Sequence, residues 1–467
     1  MKNNVLKSVR NKGSILALAL AASGAVMTAQ AAADPSLLGS KLTKIGGDPS
    51  ANSDGSIPAW TPPGPQGGSW EYGQVRGEHW IHKDDKPLYT ITASNMDKYA
   101  DKLSAGHKAL FKQIPDYQMD IYPTRRSCDV PDFVAENTRK NVGFAQLDDA
   151  GLALKQAYVP GIPFPMPETG AQAMWNMKMR YRGVGFEMSR NYGGISPRKG
   201  GDDWIKTRAD TMVFFPWGIK GTHKFTDYDR LEAAGFFSYA EPAALAGQAA
   251  VLTTKAGQES ETFYYFPGQR RVRRMPSYSY DAPQIGLDNQ YNVDELGMFA
   301  GPLDRFDWKL VGKQEKLVPY NSFGLYDFKA SFDDVAKRNF LAPEYRRYEL
   351  HRVWVVEATV RDGMRHSAPK REFYLDEDSW APLVAVDYDG QGTIAKVREG
   401  FLTPVYETGG CDVEAFVQHN LIDGRYMFDY NSFSTGKDHR WITEPGDNPR
   451  LRASFYTPDS LRMMSDR

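Results

Sequence analysis

Residues 348–401 restrict the fold more than any other part of the chain. Strand-like runs rich in β-branched and aromatic residues alternate there with turn-forming clusters at Asp362-Gly363, at positions 376–379 and at Asp389-Gly390. Short turns of this kind join strands that run in opposite directions, because a parallel connection needs a dozen or more residues. The stretch therefore predicts an antiparallel meander.

The runs within this meander differ in which faces are apolar. One face of the first run carries Trp354, Val356, Ala358 and Val360. This alternation is typical of a half-buried strand. The run at 383–388 has apolar groups on both faces. Such a strand either packs against something on each side or borders an apolar cavity, and the sequence leaves both alternatives open.

Earlier in the chain the pattern also favours strands. Three runs rich in aromatic and β-branched residues lie at 236–240, 248–254 and 262–266. The third is followed by Pro267-Gly268 and by another run at 270–275, which predicts a hairpin. Since aromatic residues make up 13% of the chain, we predict a mainly β fold of the α+β class.

Two helices are predicted before these strands. Ser94 is suited to N-cap the first helix, which Pro115 would follow. The second runs from about Asp132 toward Leu154 and is interrupted at Gly143. We expect both helices to pack on the sheet.

The first 31 residues have the features of a secretory signal peptide. Basic residues precede an apolar stretch over positions 15–26, and small residues follow it. Cleavage is expected after Ala31, with Ala33 as the alternative. The apolar stretch is too short to span a bilayer, which takes roughly 20 residues. Because no cysteine lies near the cleavage site, we expect a free periplasmic protein of a Gram-negative bacterium and not a lipoprotein.

Composition also divides the rest of the chain. Residues 32–80 are rich in Gly, Pro, Ser and Asn, which predicts an extended arm. Residues 81–467 are expected to form a single elaborated β-rich domain, since large β domains exceed the usual domain length.

The two cysteines, Cys128 and Cys411, are far apart in sequence. In an oxidising periplasm such a pair is expected to form a disulfide. The alternative is two separately buried thiols that act as small core residues.

A proline-rich segment spans residues 158–167, with prolines at 160, 163, 165 and 167. Proline removes backbone donors and favours an extended path, so the segment is either the rim of a cavity or a rigid connector. Phe164 and Met166 within it, and Trp175 just after it, are candidate rim contacts for a ligand. For Trp175 the alternative is core filling.

A run of arginines is the sharpest local feature of the chain. It comprises Arg270, Arg271, Arg273 and Arg274. On a strand these arginines would lie two on each face and could bind a phosphate or carboxylate head group. The alternatives are a solvated face or pairing with internal acids, for which the candidates are Asp281, Asp304 and Asp307.

Motifs of common enzymes are absent from the sequence, which contains no nucleophile elbow, phosphate-binding loop or dinucleotide-binding glycine motif. The pair His79 and His82 lacks a third metal ligand, and Ser50, Asn52 and Asp54 form only half of a calcium loop. The acids at 376–378 sit at a predicted turn, where solvation is expected. We therefore predict no enzyme, no metal and no cofactor, and the net charge of −1 gives no indication of nucleic-acid binding.

Four stretches together resemble one exported family. They lie at 41–60, at 158–167 with Trp175-Asn176, at 266–274, and at 348–357 with 374–380. The family is catalogued as domain of unknown function 1329 and is similar to the outer-membrane lipoprotein-sorting proteins of the LolA and LolB type.

This resemblance implies an incomplete antiparallel β-barrel, a sheet curved around an apolar cavity and partly closed by helices. It also implies a role beside an exporter of the resistance-nodulation-division class and an outer-membrane β-barrel. Such an association indicates a cellular setting and not a mechanism.

The first functional hypothesis is therefore a periplasmic carrier or adaptor that binds a lipid or another hydrophobic cargo. A periplasmic hydrolase is the second hypothesis, and a structural envelope adaptor that binds only proteins is the third. An acyl chain crossing water gains about 0.8 kcal/mol for each CH2 group that a carrier covers, so a carrier needs an apolar cavity and no catalytic group.

Overall fold

One large open sheet organises the computed structural model, which describes residues 34–276 and 278–465. Sixteen of the described strands belong to it, and its strand order has two free ends, so it does not close into a barrel. The predicted signal peptide and both cleavage sites lie outside the described residues.

The strands of the described residues number 22 in chain order. The first eleven are β1 Tyr89–Thr92, β2 Gln118–Ile121, β3 Gln146–Leu147, β4 Leu154–Gln156, β5 Tyr158–Val159, β6 Gly185–Ile195, β7 Ile205–Phe214, β8 His223–Lys224, β9 Leu231–Glu241, β10 Ala249–Lys255 and β11 Glu261–Phe266. The others are β12 Arg271–Arg274, β13 Phe306–Pro319, β14 Tyr348–Val360, β15 Lys370–Asp376, β16 Pro382–Tyr388, β17 Ile394–Gly400, β18 Thr403–Val405, β19 Gly410–Asp412, β20 Phe416–Asn420, β21 Arg425–Asn431 and β22 Arg440–Ile442.

The large sheet has the order β1-β2-β14-β15-β16-β17-β20-β21-β6-β7-β9-β10-β11-β12, with β13 beside β14 and β22 beside β6. Its neighbours pair antiparallel except β2 and β14, which meet in parallel at Ile121 and Tyr348. The predicted fold class is confirmed: a mainly β protein with an open, predominantly antiparallel sheet and a few helices.

The predicted meander is confirmed as strands β14 to β17, each antiparallel to the next. The predicted hairpin is confirmed as β11 and β12, whose register pairs Phe266 with Arg271. Both predictions rested on local turns, which set the direction of the following strand.

The helices of the described residues are short. They are α1 Arg76–His79, α2 Ala105–Gln113, α3 Asp132–Asn141, α4 Gly170–Lys178, α5 Phe332–Val335 and α6 Pro458–Ser465. None of them is long and apolar enough to cross a bilayer.

The predicted N-cap at Ser94 is wrong. Residues 96–99 form only a 3-10 turn, and the helix begins after Ser104, whose side chain accepts a hydrogen bond from the backbone N–H of His107. Residues that can form a helix follow both serines. Only a helix that begins after Ser104 places Leu110 and Phe111 in the core. The second predicted helix ends at Asn141, and the rest of its predicted range forms β3 and β4.

Strand β16 packs on both faces. The backbone of Gly106 in α2 lies so close to Val386 and Val397 that a Cβ there would come within 2.9 Å of each side chain. Ala385, on the other face, belongs to the main hydrophobic core. Of the two alternatives for this strand, packing on each side is therefore confirmed.

Cys128 and Cys411 form a disulfide, as predicted. The bond joins residues 283 positions apart and ties the segment before α3 to strand β19. Crosslinking distant residues restricts the unfolded chain more than crosslinking near ones.

We predict that a Cys128→Ser, Cys411→Ser double variant loses about 2–5 kcal/mol of unfolding free energy, because its unfolded state is no longer restricted. Urea denaturation of both proteins measures the loss. Dithiothreitol should destabilise the wild type to the same extent and leave the double variant unchanged. Equal stability of oxidised wild type and double variant would contradict the prediction.

Candidate functional site

An apolar cavity lies between one face of the sheet and the segment Tyr278–Pro302, which we call the cover segment. It has two adjoining chambers of about 60 and 130 Å³. Residues that line both chambers are Thr211, Phe237, Leu252, Thr254, Leu296, Ala300 and Tyr430. The larger chamber is similar in size to an engineered cavity of about 150 Å³ that binds benzene.

The face of β9 that lines the cavity combines small and aromatic residues. Ala233, Gly235, Phe237 and Tyr239 alternate along this face. Gly235 lies opposite Leu252 of β10, and a Cβ at Gly235 would approach the leucine side chain to 3.1 Å. The small residues leave space above the sheet, and the rings form apolar walls around it.

The cover segment is anchored by buried ion pairs. Arg371 donates a hydrogen bond of 2.6 Å to Asp294, and His366 contacts the same carboxylate oxygen at 3.0 Å. Burial opposes ionisation of Asp294, but the charge of Arg371 and the hydrogen bond from His366 hold its pKa below the usual range. Next to it, Glu295 pairs with Lys396 at 2.9 Å. These pairs fix the middle of the cover segment to β15 and β17.

Two described acids line the smaller chamber, and of these Asp429 forms no ion pair with another described residue. Its Oδ1 accepts hydrogen bonds from the backbone N–H of Tyr430 at 2.8 Å and from Asn191 at 3.3 Å. Thr211 in turn donates to Asn191 at 2.9 Å. Burial raises the pKa of Asp429 to about 7, although the hydrogen bonds from Tyr430 and Asn191 act in the opposite direction.

The larger chamber is bordered by ion pairs. Lys178 pairs with Glu232 at 2.8 Å, and Arg182 pairs with Glu414 at 3.3 Å. Arg180, paired with Asp412 outside the lining, also borders the chamber. Burial and the neighbouring Arg182 lower the pKa of Arg180 to about 10. Each cation of this lining therefore already has an anionic partner.

The expectation that the acids at 376–378 are solvated is wrong. Asp376, Glu377 and Asp378 are all buried. Arg126 donates to both oxygens of Asp378 at 2.8 Å and to Glu377 at 3.3 Å, and Lys313 pairs with Glu377 at 2.8 Å. The turn is local, but its cations come from distant parts of the chain, which sequence spacing does not reveal.

Among the described residues, His351, Asp376 and Asp378 could together hold a metal ion, since their ligand atoms lie within 4.8 Å of one another. The Oδ1 atom of Asp376 is buried and has no hydrogen-bond partner. Burial and the nearby Asp378 raise the pKa of Asp376 well above its usual value, so a proton can also satisfy this carboxyl. The guanidinium of Arg126 on Asp378 opposes a second cation at this position.

The predicted arginine contacts lie away from the cavity. Arg271, Arg273 and Arg274 are exposed on β12, the last strand of the sheet, and Arg270 precedes it with a φ of 50°. Arg274 pairs with Glu261 of the neighbouring strand at 3.2 Å, and the other three have no ion pair within the described part of the chain. Binding of a head group by this edge stays a prediction.

Internal acids are not the partners of these arginines. Asp281, Asp304 and Asp307 contact other side chains instead: Arg305, Tyr280 and Arg361 respectively. The four arginines therefore face solvent, and Arg274 also pairs with Glu261.

Phe164, Met166 and Trp175 do not line either chamber. Phe164 and Met166 are half-buried, and Asn176 of α4 holds the backbone of Phe164 with two hydrogen bonds. Trp175 is buried and donates to the backbone carbonyl of Leu152 at 2.8 Å. The segment thus has the contacts of a connector, and a cargo contact by these residues stays a prediction.

The sequence reasoning missed both the cover segment and Asp429. A signal for Asp429 was present, since it is an acid directly after the buried run from Tyr426 to Phe428. The cover segment has no comparable signal, because its partners are distant in sequence.

The sequence matches the family described as "Protein of unknown function (DUF1329)" over residues 90–462. The chain belongs to this family. It is also 35% identical over 461 residues to the uncharacterized protein PA3922 of Pseudomonas aeruginosa, covering 96% of each chain.

Solved structures of low sequence identity also align with parts of this chain. A domain from Vibrio parahaemolyticus named for outer membrane lipoprotein sorting is 14% identical, with a TM-score of 0.43 over 63% of this chain and 98% of that chain. A family member from Desulfovibrio piger is 14% identical, with a TM-score of 0.38 over 58% and 90% of the two chains. A LolA superfamily protein from Nitrosomonas europaea is 13% identical, with a TM-score of 0.35 over 63% and 99%.

We predict that Asp294→Asn loosens the cover segment. The change leaves part of the charge of Arg371 uncompensated in the interior, which should cost about 3–5 kcal/mol of unfolding free energy. Hydrogen exchange should rise more in residues 278–302 than in β16. Asp307→Asn, in an exposed pair with Arg361, is the matched control and should change stability by less than about 0.5 kcal/mol. Exchange that rises equally in both regions would contradict an anchoring role.

We also predict a pH dependence from Asp429. Its pKa is higher in the folded than in the unfolded protein, so its contribution to stability is complete below about pH 4 and is lost as the pH rises through about 7. Asp429→Asn should therefore gain about 2–4 kcal/mol relative to wild type between about pH 4 and pH 8. Urea denaturation across this range measures the difference. A difference in unfolding free energy that stays constant across this pH range would contradict the raised pKa. The exposed Asp203→Asn is the control.

Proposed function

We propose that the protein is a periplasmic carrier that holds a lipid or another hydrophobic molecule between the sheet and the cover segment. The single observation that carries the proposal is the cavity above β7, β9 and β10. Most of its wall surface is apolar, and threonine, serine and charged side chains line the remainder. This combination is usual for small-molecule sites.

The size of the cavity adds a condition to the proposal. A chamber of about 130 Å³ accommodates a molecule similar in size to benzene, whereas an acyl chain needs more room. The cover segment must therefore move when a long cargo binds. Each CH2 group then covered contributes about 0.8 kcal/mol, which favours the loaded, open form of the carrier.

The proposal includes transport between the two membranes of the envelope. An exporter of the resistance-nodulation-division class and an outer-membrane β-barrel are the partners, as the family resemblance implies. No catalytic step is part of it. Asp294, Glu232 and Glu414 of the lining each contact a cation and are arranged as structural ion pairs, which does not favour a hydrolase.

We predict that filling the cavity abolishes binding of hydrophobic probes. Ala233 lines the larger chamber, so Ala233→Phe places a ring in the space that a cargo would occupy. Affinity for a fluorescent fatty-acid probe, measured by titration, should fall at least about tenfold. Ala240→Phe is the matched control, since Ala240 belongs to the same strand and lines neither chamber, and it should retain the wild-type affinity.

Native mass spectrometry with organic extraction gives a second readout on protein prepared from a periplasm without detergent. A stoichiometric hydrophobe, displaced by Ala233→Phe, is the expected result. A protein that holds no hydrophobe and binds no probe, or one whose binding Ala233→Phe leaves unchanged, would overturn the proposal.

A further inference from the structure

Two irregular strands meet beside the smaller chamber. The pairing of β6 with β7 shifts register between Met188 and Asn191, and the pairing of β21 with β6 shifts between Phe428 and Asn431. Such bulges leave residues unpaired and redirect their side chains, and they are frequent next to functional sites.

The bulge in β21 contains Asp429 and Tyr430. Tyr430 has a φ of 56°, a left-handed conformation that costs a non-glycine residue roughly 1–2 kcal/mol. Both residues line the smaller chamber. The irregularity of the strand therefore places a carboxyl and a phenol ring at the cavity instead of in the regular ladder.

Only one of the two oxygens of the Asp429 carboxyl accepts hydrogen bonds from the described residues. Its Oδ1 accepts from Tyr430 and Asn191, whereas Oδ2 accepts no hydrogen bond and forms no ion pair with the described residues. The other carboxylate of this chamber, Asp294, is bound by Arg371 and His366. An acceptor is thus available at Asp429 in a chamber that both apolar and polar side chains line.

The surroundings of this acceptor include several aromatic side chains. Phe237, Tyr239, Tyr278 and Tyr430 line the same chamber. The hydroxyl groups of Tyr239 and Tyr278 donate within the protein, to the backbone carbonyl of Ile285 at 3.0 Å and to Gln284 at 2.6 Å. Their rings remain to pack against the body of a ligand, and aromatic faces also attract cations.

We propose that Asp429 receives the head group of the cargo, and that this head group is a hydrogen-bond donor, namely a hydroxyl group or a protonated amine. The inference rests on the proposed carrier function and adds the class of its ligand. A carboxylate or phosphate head group would bring a second negative charge against Asp429. The cations that border the larger chamber do not offset this charge, because each already has an anionic partner.

The chemistry of the acceptor favours strong discrimination. Asp429 is half-buried, and a ligand that lies over its Oδ2 shields this oxygen from water. A ligand with a matching donor then satisfies the oxygen, whereas an analogue that lacks the donor leaves it without a partner. The raised pKa of Asp429 allows both ligand types. The carboxyl can accept a hydrogen bond from an alcohol, and the positive charge of an amine favours the ionised form of the carboxyl. Amine and alcohol share the donor chemistry that the site requires.

The test compares three ligands with the same apolar chain: dodecanol, dodecylamine and dodecanoate. Each displaces a bound fluorescent probe from the mature full-length protein, below the concentration at which it forms micelles. We expect the alcohol, the amine or both to bind at least about tenfold more tightly than the acid. A preference for the amine over the alcohol identifies a cationic head group, and equal binding or a preference for the alcohol identifies a neutral donor.

Asp429→Asn supplies the variant arm. Asparagine keeps an oxygen for the hydrogen bonds from Tyr430 and Asn191 but removes the anionic acceptor, so the preference over dodecanoate should fall to less than about threefold. The exposed Asp203→Asn is the matched control and should keep the wild-type preference. If Asp429→Asn does not fold, the wild-type comparison still decides, because it needs no variant.

The outcomes separate the two proposals. Dodecanoate binding as tightly as the alcohol and the amine, or an unchanged preference in folded Asp429→Asn, would overturn the role of Asp429 and leave the carrier function standing. Failure of the protein to bind the probe and all three ligands would overturn the carrier function itself.

Discussion

A buried row of charges across three neighbouring strands is the interaction on which the rest of the structure depends. Arg371 of β15 lies opposite Asp387 of β16 and donates to it at 3.0 Å, and Arg398 of β17 donates to the same aspartate at 2.8 Å. Asp294 of the cover segment extends the row through Arg371. Burial opposes ionisation of Asp387, but the two arginines hold its pKa below the usual range. Removing one member would leave a charge in the interior, so the row fixes the middle of the cover segment to β15 through Asp294.

The two halves of the large sheet use their faces differently. From β13 to β17 the sheet is covered on both sides, with α2 on one face and α4 contacting β13 and β14. From β6 to β11 the strands carry small residues and bulges, and the cover segment lies over them without filling the space. Rigid packing in the first half therefore supports an incompletely filled second half, an arrangement suited to hold a ligand.

Local sequence signals predicted the strands well because the turns that join them are local. The clusters at Asp362-Gly363 and Asp389-Gly390, with the one at 376–379, separated the four strands of the meander, and Pro267-Gly268 identified the hairpin of β11 and β12. The signals failed where partners come from far along the chain. Ser94 has the properties of an N-cap, yet tertiary packing places the helix after Ser104.

The candidate site was harder to predict for the same reason. The arginine run is conspicuous in the sequence, but β12 is an edge strand, so its side chains face solvent. Asp429 reaches the cavity because of a bulge opposite another irregular strand, and its surroundings come from its own strand, five other strands and the cover segment. The family resemblance predicted an apolar cavity. The polar group inside this cavity, Asp429, could be identified only from the register of the strands.

The contacts of the cover segment are unevenly distributed, and this determines where opening costs least. Residues 292–296 are held by the buried pairs of Asp294 and Glu295. Residues 278–285 are held by the hydrogen bond from Tyr239 to Ile285, while the bond between Tyr278 and Gln284 lies within the segment itself. Tyr280 also donates to Asp304, and Asp281 pairs with Arg305, but these contacts are only partly buried. Local opening follows the regions with the fewest buried polar ties. The ties of residues 278–285 to the rest of the chain are only partly buried, whereas the pair of Asp294 with Arg371 is fully buried, so opening at residues 278–285 costs less than opening at 292–296. Residues 278–280 and Gln284 also line the chamber of Asp429.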